Sequence, residues 1–276
     1  MNASVSQKFA QDDVVYADAN DFRCLIGDYS DRRALLATDA SVDEENKTPL
    51  PADIGNLCRL HRLVRSRKVT TVLEFGVGFS SVVLADAMRR NRDEFAKQIE
   101  ANVLRRNNPF EVHSLDANAE FVELWRDRTA HEFEGLLYYH ESACRMGEFR
   151  GRICHFYDSL PDICPDFIYL DAPSQWDVEG DVRGVSTRHK DRVPIAADLL
   201  AIEYFLLPGT LILVDGRGMN ARFLRDHFKR NWHYHYDQDG DVHLFELVEP
   251  PIGDRNRAQL LFCLGQEWLS EAEIIA

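Results

Sequence analysis

The sequence is short of the features that mark whole classes of protein. No run of apolar residues approaches the ~20 needed to cross a bilayer as a helix, so no membrane span is expected in its 276 residues. The first thirteen residues are polar and carry no apolar core of a secretory leader, which points to the cytoplasm. Six cysteines (Cys24, Cys58, Cys144, Cys154, Cys164 and Cys263) are scattered without a CxxC pair or zinc-like spacing. They read as reduced thiols rather than a disulfide framework. There is no GxxxxGK[ST], so a Walker-type phosphate cradle is excluded. Basic residues are in deficit, 32 against 46 acidic, and the net charge of −14 opposes a polyanionic partner. Internal repeats and low-complexity tracts are absent.

What is present is an ordinary globular composition, 45% apolar and 28% charged, organised around one stretch. Val69-Thr70-Thr71-Val72-Leu73-Glu74-Phe75 is a β-branched apolar run that reads as a buried strand. Gly76-Val77-Gly78 follows, then Phe79-Ser80-Ser81 and the apolar helix pattern Val82–Met88. A strand, a glycine turn and a helix N-terminus together form the phosphate- or nucleoside-holding corner of α/β folds. The two glycines permit backbone angles and close approaches that a Cβ would obstruct. Gly78 is not followed by a third glycine, since Ser81 stands at that place, so this is not the dinucleotide GxGxxG.

Downstream, short apolar runs end repeatedly in acids. Glu111–Asp116 reads as a second strand, Arg152–Tyr157 as a third followed by Asp158, Asp166–Leu170 as a fourth followed by Asp171, and Leu211–Val214 as a fifth followed by Asp215. Gly135–Tyr139 is an extra strand or the approach to one. Trp232–Tyr236 and Val242–Val248 flank the turn signal Gln238-Asp239-Gly240-Asp241 and read as a hairpin. Helices are expected over 52–68, 119–133, 195–207 and 221–229, the last capped by Asn220, with another around 258–264. The charged stretch 89–110 reads as a helical insertion, because 40 residues separate Gly76 from Asp116 where a compact βαβ unit has about 20. The expected organisation is a cap over 1–48, with a polar loop at Asp39–Lys47, a core over 49–248 and a tail over 249–276.

The Glu74-x-Gly76-x-Gly78-x-Ser80 spacing, the acids at successive strand ends and the closing hairpin resemble class I S-adenosylmethionine-dependent methyltransferases almost from end to end. The resemblance implies a doubly wound α/β fold: a mostly parallel seven-stranded sheet with an antiparallel C-terminal hairpin and helices on both faces. It implies S-adenosylmethionine as cofactor, held by Glu74, Gly76, Gly78 and Ser80, with Asp116 on the ribose diol and Asp158 at the adenine amine. Read from the residues alone, Asp116 also suits a cap on the following helix, a role that need not exclude the ribose, and Asp158 is equally a turn carboxylate. Asp171 is the candidate base, with His189 behind it. Asp171 and Asp215 also resemble two of three metal ligands in catechol-type enzymes, although Gly216 stands where those carry Asn. Asp171-Ala172-Pro173-Ser174 departs from the (D/N/S)PP(Y/F/W) of nucleic-acid enzymes at two positions, which together with the acidity disfavours a nucleic-acid partner. The expected reaction is methyl transfer to a small molecule or glycan, at oxygen. An aminopropyltransferase-like enzyme and a non-catalytic interaction module on the same scaffold are the alternatives. Residues 1–48, 172–193 and 249–276 are expected to build the acceptor pocket.

Overall fold

The computed structural model describes residues 12–27, 53–102, 104, 107–129 and 131–274. Most of the expected cap, including Asp39–Lys47, lies outside them. The described residues open with helices over 12–19 (α1) and Phe22–Ile26 (α2), and resume with Ile54–Ser66 (α3). The side chain of Asp53 starts α3 by accepting the N–H of Asn56 at 3.2 Å. Strand β1 (Thr71–Phe75) leads into the long helix α4 (Phe79–Asn102), β2 (Glu111–Asp116), α5 (Ala119–Thr129) and β3 (Leu137–Glu141). Next come β4 (Cys144–Phe149), β5 (Arg152–Tyr157), β6 (Phe167–Leu170), the short β7 (Val178–Glu179) and α6 (Asp198–Ile202). The chain closes with β8 (Leu211–Asp215), α7 (Gly218–His227), β9 (Trp232–Asp237), β10 (Val242–Leu247), α8 (Asp254–Cys263) and α9 (Gly265–Ile274).

The main sheet has seven strands in the order β3-β2-β1-β6-β8-β10-β9. The first five are parallel; β10 enters antiparallel to both β8 and β9. The C-terminal ends of the parallel strands, where the acids stand, therefore share one edge. Alternation along each strand sends side chains to opposite layers. Val72, Val112, Phe167 and Leu213 pack with α3, α4 and α5, while Leu73, Phe75, Leu115, Ile168, Leu170 and Ile212 face the other way. The α/β fold with its inserted antiparallel strand is the one the sequence implied.

Four assignments change. The third strand of the main sheet is Leu137–Glu141, not Arg152–Tyr157. The latter, β5, belongs to a separate three-stranded sheet, β5-β4-β7, packed on the second face beside α6 and α7. Both segments have strand character, and only pairing with Val112–Asp116 selects one of them. Residues 89–102 are not an insertion but the continuation of α4. The expected helix 195–207 shortens to Asp198–Ile202 and a 3-10 turn at Glu203–Phe205, leaving Tyr204 and Phe205 on the surface. Asn220 is not a cap: it is buried, and its amide bonds both backbone groups of Ala196.

The tail closes the opposite edge of the sheet. Gln259 Nε2 donates to Asp166 before β6, Asn256 Nδ2 to Pro208 O before β8, and Lys68 Nζ to Phe262 O. Residues 254–274 thus lie at the strand N-termini, away from the acid-bearing edge, and the expectation that the tail helps build an acceptor pocket does not hold. At the N-terminus, α1 and α2 dock on α3 and α4 through Ala17 and Phe22. Tyr16 OH bonds His61 Nδ1 at 2.7 Å, and His61 in turn meets Asp86 at 3.1 Å. Among the described residues no helix is long and apolar enough to cross a membrane.

Candidate active site

The glycine turn is as tight as its sequence required. Only Gly76-Val77-Gly78 separate the end of β1 from the first residue of α4. Gly76 has φ +124°, a backbone conformation that strains any residue with a Cβ, and a Cβ there would sit at contact distance from the Ala172 methyl. The turn hangs from both neighbouring strands: Gly76 N–H donates to Leu115 O, and Asp171 N–H to Phe75 O. It therefore lies in the crevice between β1, β2 and β6, in front of the positive end of a 24-residue helix.

Glu74 holds this corner from within. Its carboxylate is fully buried and accepts hydroxyls from Ser80 at 2.5 Å, Ser81 at 2.6 Å and Ser114 at 2.5 Å. Ser81 Oγ in turn accepts the N–H of Gly78 at 3.1 Å. One side chain thus joins strand end, glycine turn, helix start and β2. Burial pushes its pKa up to about 7, against the pull of three hydroxyls and with a smaller push from Asp171. Ser80 faces Glu74 rather than open crevice, so both act through the shape of the turn.

Asp116 closes β2. Its Oδ1 accepts the N–H of Asn118 at 2.9 Å. The residue that caps α5 is Asn118, whose Oδ1 accepts the N–H of Phe121 at 3.1 Å. Asp116 is therefore not the helix cap; it is buried at the crevice and raised to about 6 by desolvation. Asp177, from the loop after β6, adds to that rise and bonds Asn118, a neighbour that the sequence did not single out. The chain after β3 comes next along the edge, with Ser142 N–H donating to Asp116 O at 3.1 Å. Asp158 follows β5 of the second sheet, but its segment returns to the same place: Asp158 N–H reaches Ala143 O at 2.8 Å, and Ser159 N–H reaches Ser142 Oγ at 2.9 Å. The Asp158 carboxylate is half-exposed and ion-paired with Arg145 at 2.9 Å.

The second half of the site gathers around Tyr169. Its hydroxyl donates to Asp215 Oδ2 at 2.8 Å and stands 3.4 Å from Asp171 Oδ2. Asn56, from α3, reaches both Tyr169 OH (2.9 Å) and Asp215 Oδ2 (2.5 Å) with its amide nitrogen. Arg217 reaches back from the start of α7, bonding Asp171 Oδ1 at 3.4 Å, Pro173 O at 3.0 Å and the Asp171 carbonyl. About half of the Asp171 side chain is reachable by solvent. Desolvation raises its pKa despite the Arg217 cation and the Tyr169 hydrogen bond. Asp215 rises to about 6 through burial and the nearby Asp171 charge.

The structure thus brings Glu74, Gly76, Gly78, Ser80, Asp116, Asp158, Asp171 and Asp215 to one edge. It does not add His189, whose ring accepts the Asp191 N–H within its own exposed loop. Sequence reasoning passed over Asn56 and Tyr169. A tyrosine inside the otherwise apolar Phe167–Leu170 was a usable signal, because a buried hydroxyl needs a partner. Asn56 offered none, being one polar residue on a helix. Among the described residues no group of three or more His, Cys, Asp or Glu side chains is arranged to hold a metal ion.

No family model matches the sequence, and neither does any curated protein. Solved structures do match. The O-methyltransferase TomG from Streptomyces achromogenes, involved in tomaymycin synthesis and in complex with SAM, is 16% identical at a TM-score of 0.37, over 71% of this chain and 81% of that one. Cofactor-bound Rv0187 from MTB is 15% identical at a TM-score of 0.43, over 84% and 95%. An O-methyltransferase from Bacillus cereus in complex with SAH is 12% identical at a TM-score of 0.38, over 85% and 99%. These are loose overlaps.

Proposed function

We propose that the chain is an S-adenosylmethionine-dependent methyltransferase acting on oxygen of a small-molecule or glycan acceptor. One observation carries the reading. A glycine turn at a helix N-terminus, the buried Asp116 and the Asp171–Asp215 pair line a single sheet edge, and all three carboxylates are raised by burial. Such an edge gains from a ligand that brings positive charge together with a hydroxyl-bearing sugar, and it would repel phosphates. The cofactor supplies an electrophilic methyl on a cationic sulfur. In this reading the Gly76–Gly78 turn receives it by close backbone approach, and Glu74 and Ser80 keep that turn in shape. Asp116 accepts the ribose hydroxyls, and Asp158 lies with Ser142 at the adenine side.

Methyl transfer is an in-line displacement, so positioning and exclusion of water do much of the work. The acceptor hydroxyl must still shed a proton, and Asp171 is the group that takes it. Its raised pKa makes it a better proton acceptor than an ordinary carboxylate. The Tyr169 hydroxyl bonds Asp215 at 2.8 Å and Asp171 only at 3.4 Å, and about half of the Asp171 side chain is exposed, which leaves it open to the acceptor. Arg217 fixes the Asp171 backbone and side chain from behind and so acts as a positioning residue.

A divalent metal does not suit this pair. The Asp215 oxygen is taken by Tyr169 and Asn56, and the Arg217 cation stands on Asp171 where a second cation would be repelled. Calorimetric titration with S-adenosylmethionine and S-adenosylhomocysteine tests the reading, saturable binding being the expected result. Absence of heat at millimolar ligand overturns it.

A further inference from the structure

The second sheet does more than cover the main one. Between β4, β5, the loop that follows β7 and the first turn of α7 lies a cavity of about 290 Å³. Met146, Ile153, Val185, Val193, Ile195 and Met219 give it an apolar wall. Three of these, Val185 (37%), Val193 (43%) and Met219 (55%), are exposed to solvent. Leaving them uncovered forfeits burial worth roughly 25 cal/mol per Å², so packing of the fold gives no reason for their being together. Clustered exposed apolar groups of this kind mark a binding surface.

Two links run from the cavity lining toward the candidate base, which does not itself line the cavity. Met219 stands two residues beyond Arg217, whose guanidinium bonds Asp171 and Pro173. Thr187 on the rim donates its hydroxyl to Gln175 O at 2.7 Å, in the segment that leaves Asp171. On the rim Arg192 bonds Ser186 O at 2.8 Å, and Asp191 beside it offsets its charge. At the floor Cys154 is buried, with its thiol pushed up to about 11, so it stays neutral.

We infer that this cavity holds the methyl acceptor, and that the acceptor is a neutral molecule with a compact apolar body of one or two rings bearing a hydroxyl. The inference rests on the methyltransferase reading and narrows it. An apolar cavity of about 150 Å³ accommodates benzene, so 290 Å³ has room for a bicyclic body. A glycan would surrender hydrogen bonds to water that valine, isoleucine and methionine cannot replace. The balanced rim charges offer nothing to a strongly ionic ligand.

The test uses the full chain and 2-naphthol as fluorescent probe, with phenol, 4-phenylphenol and methyl glucoside as companions, each titrated with and without S-adenosylhomocysteine. Saturable binding of at least one of the three phenols is expected, with methyl glucoside inert. Met219→Asp and Val193→Asp change exposed side chains and preserve the fold, which circular dichroism verifies. Each should weaken phenol binding at least tenfold while S-adenosylhomocysteine affinity stays within twofold. The proposal is overturned if all three phenols fail at millimolar concentration, if both variants bind them as the parent does, or if methyl glucoside binds in their place. Variant-sensitive phenol binding without any S-adenosylhomocysteine binding would sustain the cavity and remove the cofactor.

Discussion

Replacing Glu74 by glutamine isolates what a buried carboxylate does at the heart of the glycine turn. The acid sits at about 7 in the folded chain against an ordinary 4.5, and that difference corresponds to about 3 kcal/mol. Below pH 4.5 the group is protonated whether folded or not and contributes no pH dependence. Between pH 4.5 and 7 the unfolded chain gives up the proton while the folded chain keeps it. Stability then falls as pH rises, and above about 7 the loss is complete. Glu74→Gln keeps the shape, can still bond Ser80, Ser81 and Ser114, and does not titrate. Asp116, Asp198 and Asp215 are also raised, but they remain in both proteins and largely cancel in the comparison. The stability of Glu74→Gln minus that of the parent should therefore grow by up to about 3 kcal/mol from pH 4.5 to pH 8. Urea unfolding followed by circular dichroism at pH 4.5, 6 and 8 measures it. A difference that stays flat within about 0.5 kcal/mol would refute both the burial of the charge and the argument built on it.

Other expected outcomes follow from the same edge. Asp116→Asn should lower S-adenosylhomocysteine affinity at least tenfold by calorimetry. The parent should also bind more weakly as pH drops through about 6, where its carboxylate takes up a proton, and the variant should lose that dependence. Asp171→Asn should cut turnover by a factor of about 10² to 10⁴ once an acceptor is in hand, with cofactor affinity kept within a few-fold. At the opposite edge, Gly209 has φ +88°, and a Cβ there would meet Leu260 Cδ2 at 2.3 Å. Gly209→Ala should cost more than about 1 kcal/mol in urea titrations. Cys58, Cys144 and Cys154 are buried, with thiols raised by desolvation. They should react with a disulfide reagent only after unfolding, whereas the exposed Cys24 should react in the native chain.

Local chemistry was enough to locate β1, the glycine turn and the acids at the strand ends. A buried strand, a φ-positive glycine and a helix start are each decided by neighbours a few residues away. The hairpin around Gln238–Asp241 was legible for the same reason, and the observed register pairs Asp237 with Val242 across that turn. Tertiary structure alone decided which of two strand-like segments entered the main sheet, since Leu137–Glu141 and Arg152–Tyr157 differ in what they can pair with rather than in propensity. It alone assembled the half of the site around Tyr169, Asp171 and Asp215. Asn56 meets Tyr169 across 113 residues and Asp215 across 159, distances over which no sequence period operates. It also changed what Glu74 is. In the sequence Glu74 was an acid at a strand end, available to a ligand. Folding turned it inward, because two serines from the helix start and one from β2 supply the hydroxyls that make burying a carboxylate tolerable.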